Sequence, residues 1–102
     1  MSNKYHALRT YSTLCGRYFS SQKEARRGEE LALLEKAGGI VNLEYQPKFI
    51  LSTVPKITYT ADFRYLEDNM VVIEDVKGVL TRDTRTKIAW AKEKFGIEIE
   101  LL

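Results

Sequence analysis

The chain has 102 residues, 44% of them hydrophobic, with a net charge of +2 and one cysteine. That length fits one domain with its own core. Cys15 alone excludes an internal disulfide and a cysteine-rich zinc site, His6 alone cannot build a histidine metal centre, and no apolar run approaches the ~20 residues that span a bilayer.

The first residues lack the apolar core of an export signal, so the expected setting is intracellular. Charge is unevenly placed. Residues 1–27 carry six basic side chains against Glu24, residues 28–76 four basic against nine acidic, and residues 77–94 six basic against two acidic. Two basic segments around an acidic middle suit a phosphate-lined substrate at an acidic metal centre. Ordinary solvated helices would give the same counts.

Residues 1–20 are polar and aromatic and are expected as an arm or hairpin for dimer or DNA contact, apart from a core over 21–102. Leu14-Cys15-Gly16-Arg17 reads as a turn between two short strands. A helix is predicted from Ser21 to Ala37, capped by Ser20 or Ser21, with Glu24 in capping-box position and Gly38-Gly39 as its stop. Leu31, Leu34 and Ala37 form its expected inward stripe, extended by Leu33. Glu24 lies two turns before Leu31, near that stripe, an odd place for a carboxylate without a task. Gly28 leaves room for another backbone.

Strands follow. Tyr45–Leu51 is interrupted by Pro47, which favours an edge or a strand start. Ile57–Leu66 alternates, with Asp62 on the more polar face; Glu67-Asp68-Asn69 is a turn; Met70–Lys77 is the next strand, ended by Gly78. A second helix is predicted from Thr81 or Arg82 to Lys94, with Ile88, Ala91 and Phe95 inward, and Ile97–Leu102 is a last strand. The order predicts an α/β fold: helix, three-stranded antiparallel meander, helix, strand, with a parallel crossover at the end.

The chemistry concentrates on Asp62 and on Glu74-Asp75-Val76-Lys77. Strand side chains alternate, so Asp75 and Lys77 share a face and Glu74 takes the other. If the two strands pair as a hairpin, Asp62 reaches the same spot. Two acids and a lysine around one point are the minimal apparatus of metal-dependent phosphodiester hydrolysis. Singly, Asp62 reads as a solvated acid and Asp75–Lys77 as an ion pair of small value. Glu24 reads equally as a capping residue or as a further ligand.

Four blocks together carry a resemblance: Ser21-Gln22-Lys23-Glu24-Ala25-Arg26-Arg27, Gln46-Pro47-Lys48-Phe49, Tyr59-Thr60-Ala61-Asp62-Phe63, and Glu74-Asp75-Val76-Lys77-Gly78 with Thr81 behind. In this order they resemble the PD-(D/E)XK nuclease superfamily, and most of all its small phage-encoded members. The resemblance implies a restriction-endonuclease-like core with a mixed central sheet. It implies Asp62 and Asp75 as metal-binding acids, Lys77 as the catalytic lysine, and Glu24 as the helical glutamate that many members add. The name-giving proline of the superfamily is Ala61 here.

The expected function is therefore metal-dependent cleavage of DNA with Mg2+, for which Mn2+ should substitute. Asp62, Asp75, Glu24 and the Val76 carbonyl would hold the ion. Lys23, Arg27, Thr81, Arg82, Arg85 and Lys87 are the candidate DNA contacts. By analogy with small phage and archaeal members, the favoured substrate is a Holliday junction, cut by a homodimer. The alternatives are a nuclease that nicks or degrades duplex or single-stranded DNA, and a non-catalytic DNA- or protein-binding module.

Overall fold

The computed structural model describes residues 9–76 and 80–102. The elements in order are β1 (Thr10–Ser12), β2 (Arg17–Phe19), α1 (Gln22–Lys36), β3 (Val41–Tyr45), β4 (Lys48–Thr53), β5 (Lys56–Thr60), β6 (Phe63–Glu67), β7 (Met70–Asp75), α2 (Arg82–Phe95) and β8 (Glu100–Leu101). The fold is α/β. Its main sheet is mixed, in the order β3-β6-β7-β8, antiparallel except for the β7–β8 pair. Two hairpins, β1–β2 and β4–β5, stand apart from it.

The sequence predicts the helix ends closely. Ser21 caps α1 by accepting from the Glu24 N–H, and Thr81 caps α2 by accepting from the Thr84 N–H, each at 3.1 Å. Gly96 ends α2 in the left-handed conformation at φ 63°. Asp68 and Asn69, at φ 52° and 66°, make the two-residue turn between β6 and β7.

The meander differs from expectation. The strand predicted over Ile57–Leu66 is broken at Ala61-Asp62, and that over Tyr45–Leu51 at Gln46-Pro47. The two breaks lie side by side. The Gln46 N–H donates to the Asp62 carbonyl at 2.9 Å, and the Ala61 N–H to the Pro47 carbonyl at 3.1 Å. Pro47 has no N–H to donate, and Gln46 takes φ 53°, so the ladder cannot run straight through. The bent pair leaves the main sheet as β4–β5 and folds toward α2. This bend places Asp62 at a corner, where its neighbours come from both sides of the sheet.

Two cores follow. Under α2, Phe49, Leu51, Tyr59, Ala61, Ile73, Ile88, Ala91 and Ile99 pack together; under α1, Phe19, Ala25, Leu31, Ile40, Phe63, Tyr65 and Val76 do. Alternation along β7 thus sends Ile73 to the α2 core and Val76 to the α1 core. A fully buried side chain such as Leu31 or Phe63 contributes about 1.5–3 kcal/mol.

Three smaller expectations are corrected. The inward face of α1 is Glu24, Ala25, Gly28 and Leu31, whereas Leu33 and Leu34 are exposed. The β1–β2 hairpin packs on α1, so burial favours the early turns of that helix. At Gly28 it is a ring, not a backbone, that comes close: an added Cβ would stand 2.6 Å from Cζ of Phe19. The last strand is only Glu100–Leu101, since its ladder with β7 pairs just those residues with Glu74 and Asp75. Among the described residues no helix is long and apolar enough to cross a membrane.

Candidate active site

Glu24, Asp62 and Asp75 are all buried, at 3%, 8% and 0% exposure. The reading of Asp62 as a solvated strand acid does not survive that burial. Its backbone is fixed by donation of its N–H to the Glu74 carbonyl at 3.0 Å. Its Oδ2 accepts from the Val76 N–H at 2.6 Å. Its carboxyl also shares a side-chain hydrogen bond with Asp75. The Tyr59 hydroxyl, from the α2 side, donates to Oδ2 of Asp75. Glu24, from the first turn of α1, accepts from the Ser20 hydroxyl at 2.7 Å.

Electrostatics mark this cluster. Burial pushes the Asp62 carboxyl up to about 8; its hydrogen bond with Asp75 and the negative charge of Glu24 push the same way, against the Val76 N–H. Burial, then the bond to Asp75, raises the Tyr59 hydroxyl well above its ordinary range, so it stays a donor. Asp62 itself is favoured in its protonated form unless a cation offsets its charge.

The donors here are oxygens, anionic and sheltered, which fits a hard divalent cation. Asp62 and Asp75 touch, and Glu24 acts on Asp62 through its charge. Among the described residues no three acid, histidine or cysteine side chains stand close enough to count as a ligand set.

Glu74 lies on the other face of β7, as alternation requires, and is fully buried. Arg27 donates to it through Nε at 2.8 Å and Nη2 at 2.6 Å, and the Tyr65 hydroxyl donates to the same carboxylate. The hydrogen bond to Glu74 and its charge hold the Arg27 guanidinium above its ordinary range. This bridge ties α1 to β7. Glu24 and Arg27 are one helical turn apart, so the bridge also fixes where Glu24 meets the sheet.

The predicted DNA contacts are dispersed. Arg27, expected at phosphate, has its guanidinium taken by Glu74, with Glu30 at 3.5 Å. Lys23 and Arg26 are exposed beside it. A cleft of about 450 Å3 runs between them and Val76, also lined by Arg27, Glu30 and Leu102. Lys87 pairs with Asp83 at 3.2 Å and lines a smaller cleft of about 240 Å3 with Thr58, Tyr59 and Thr60. Thr81 caps α2 and donates to the Thr84 hydroxyl at 2.9 Å. Arg82 is exposed on the first turn of α2, and Arg85 borders an apolar groove with Leu80, Ile88 and Leu101. Lys77 lies outside the described residues.

Tyr59, Tyr65 and Ser20 hold the acids in place without a signal of their own in the sequence. Tyr59 and Tyr65 read there as members of an apolar stripe, and their hydroxyl partners are set by tertiary contacts. The Arg27–Glu74 bridge did leave a trace. Glu74 falls between Val72 and Val76 on the inward face of an apolar strand, where a carboxylate needs a cation.

Residues 2–100 match the family described as "Protein of unknown function (DUF1064)", and the chain belongs to it. Neither a curated protein nor a solved structure matches the chain.

Proposed function

We propose that the protein is a metal-dependent DNA endonuclease with a restriction-endonuclease-like core, acting on branched DNA as a homodimer. One observation carries the reading. Asp62 and Asp75, fourteen and one residues before Val76, converge in a buried contact next to Glu24, beside a cleft edged by Lys23 and Arg26. Buried neighbouring acids are costly to ionise without a compensating cation, which supports a cation-binding task.

Asp62 and Asp75 would hold a Mg2+ ion, joined by Glu24 and the Val76 carbonyl. Such an ion supplies Lewis-acid polarisation of a phosphodiester and a more acidic water. The residues of the chain do the rest. The Val76 N–H and the Asp75 contact hold the Asp62 carboxyl in one orientation. The Tyr59 hydroxyl holds that of Asp75. Lys23 and Arg26 attract the phosphate backbone into the cleft beside Val76. Lys77, two residues after Asp75, offsets negative charge developing on the phosphoryl group.

Branched DNA is preferred by analogy: the four sequence blocks resemble those of small phage-encoded members of the superfamily, among which junction cleavage by homodimers is found. The test is cleavage of a labelled four-way junction against linear duplex of equal sequence, with Mg2+ and with EDTA. Junction cleavage that needs Mg2+ and vanishes in Asp75→Asn is expected. Equal rates on both substrates would point to a simple nicking nuclease. Absence of any Mg2+-dependent nicking would leave a binding module.

A further inference from the structure

The β1–β2 hairpin has two unlike faces. Inward, Ser12 and Phe19 are buried, with the Ser12 hydroxyl donating to Glu29 at 2.6 Å and the Phe19 ring over Gly28. Outward, Tyr11 and Tyr18 are each 53% exposed. They pair across the strands, ring centroids 4.9 Å apart and edge to face. The Arg9 guanidinium lies 4.6 Å from the Tyr18 ring centre. The hairpin is thus clamped to α1 by one face and offers two rings and a guanidinium on the other.

Resting on the nuclease reading, we infer that this face is a stacking platform for unpaired nucleobases next to the cleavage site. Three observations choose that occupant. First, residues 1–23 contain no acid, and the charged residues of the described hairpin segment, Arg9 and Arg17, are both basic, which complements a polyanion. A second copy of the chain docked there would set Arg9 against Arg9, with no carboxylate on the platform to offset them. Second, the exposed groups are π faces and a guanidinium, the pair of chemistries that hold a base and its phosphate; an aliphatic surface would suit an apolar partner better.

Third, the platform adjoins the acids. Strand β2 ends at Phe19, and the next residue is Ser20, whose hydroxyl donates to Glu24. At ~3.3 Å per residue, Tyr18 stands roughly 7 Å from Ser20. The platform thus lies about one nucleotide's length along the chain from Ser20, the residue that touches the nearest acid, Glu24. Bases inside a duplex keep their faces covered, so the platform selects DNA with unpaired bases beside the cut: single strands, flaps or an opened branch point.

The experiment compares binding of a labelled single-stranded oligothymidylate and of a duplex of equal length. It is read by fluorescence anisotropy in EDTA and again with Ca2+, so cleavage does not intrude. Tyr11→Ala/Tyr18→Ala should weaken single-strand binding by ~10-fold or more and leave duplex binding unchanged. Tyr11→Phe/Tyr18→Phe should bind like wild type, because the rings and not the hydroxyls stack. Thermal melting checks that the hairpin stays folded.

Unchanged single-strand affinity in the alanine variant would overturn the platform. So would an equal loss on both DNAs, or a loss that sedimentation traces to dissociation of a wild-type dimer. If those occur while wild type still cleaves and Asp75→Asn does not, only the platform falls. If wild type binds neither DNA, the nuclease reading falls with it.

Discussion

Arg27 grips both oxygens of the Glu74 carboxylate, at 2.8 and 2.6 Å, across 47 residues of sequence. Glu74 is completely buried, while the Arg27 side chain keeps 28% of its exposure. The pair therefore works as a staple between α1 and β7 and not as a surface ion pair.

Removing one half of the staple leaves a buried charge alone. Arg27→Met should cost about 2–4 kcal/mol, toward the low side of buried pairs because the guanidinium is partly solvated. Glu74→Leu in the same chain should recover most of that loss. Urea denaturation of the three proteins measures it. If Arg27→Met melts like wild type, the bridge is not a stabilising contact.

How much of this could be seen in the sequence depends on range. Caps, stops and the Asp68-Asn69 turn are local chemistry, and the structure has them where Ser21, Thr81, Gly96 and Asn69 predict. Asp62, Asp75 and Glu24 could be singled out by alternation and by motif. The bend at Ala61-Asp62 could not, because Ile57–Leu66 alternates like one continuous strand; that at Gln46-Pro47 is signalled only as an interruption at Pro47. It is the bond from Gln46 to the Asp62 carbonyl, between segments, that shows where the chain turns. The hydroxyls that hold the acids are invisible for the same reason: a buried tyrosine and an apolar stripe member look alike until its partner is placed.

Metal-free stability should depend on pH through Asp62. Its carboxyl titrates near 8 when folded, against 3.8 ordinarily. Between those values the folded chain binds the extra proton, so this contribution is complete at low pH and is lost as pH rises toward 8 and beyond. In EDTA, the melting temperature should fall between about pH 5 and pH 9. Asp62→Asn should flatten that fall, and Mg2+ should restore stability most at the alkaline end. A flat wild-type profile in EDTA would show that Asp62 does not hold its proton in this way.

Glu24 separates a capping role from a ligand role. The cap of α1 uses the Glu24 backbone N–H, and Ser20 can donate to glutamine as well as to glutamate. Glu24→Gln should therefore melt like wild type. If Glu24 supplies charge to a bound ion, the Mg2+ needed for half-maximal cleavage should rise on the order of tenfold or more, since a partly buried charge interaction of a few kcal/mol is lost. A Mg2+ titration that overlays wild type removes Glu24 from the site.

Lys77 is the remaining test of the chemistry. It follows Asp75 by two residues, the spacing that puts both on one side of an extended chain. A lysine that offsets transition-state charge acts on the rate of bound substrate, while one that anchors phosphate acts on affinity. Lys77→Ala should lower the single-turnover rate at saturating enzyme by ~10²-fold or more, with DNA affinity nearly unchanged. Lys77→Arg keeps the charge but changes its shape and hydration, and should recover only part of the rate. Loss of affinity with an intact single-turnover rate would make Lys77 a phosphate anchor and leave the acids without their catalytic partner.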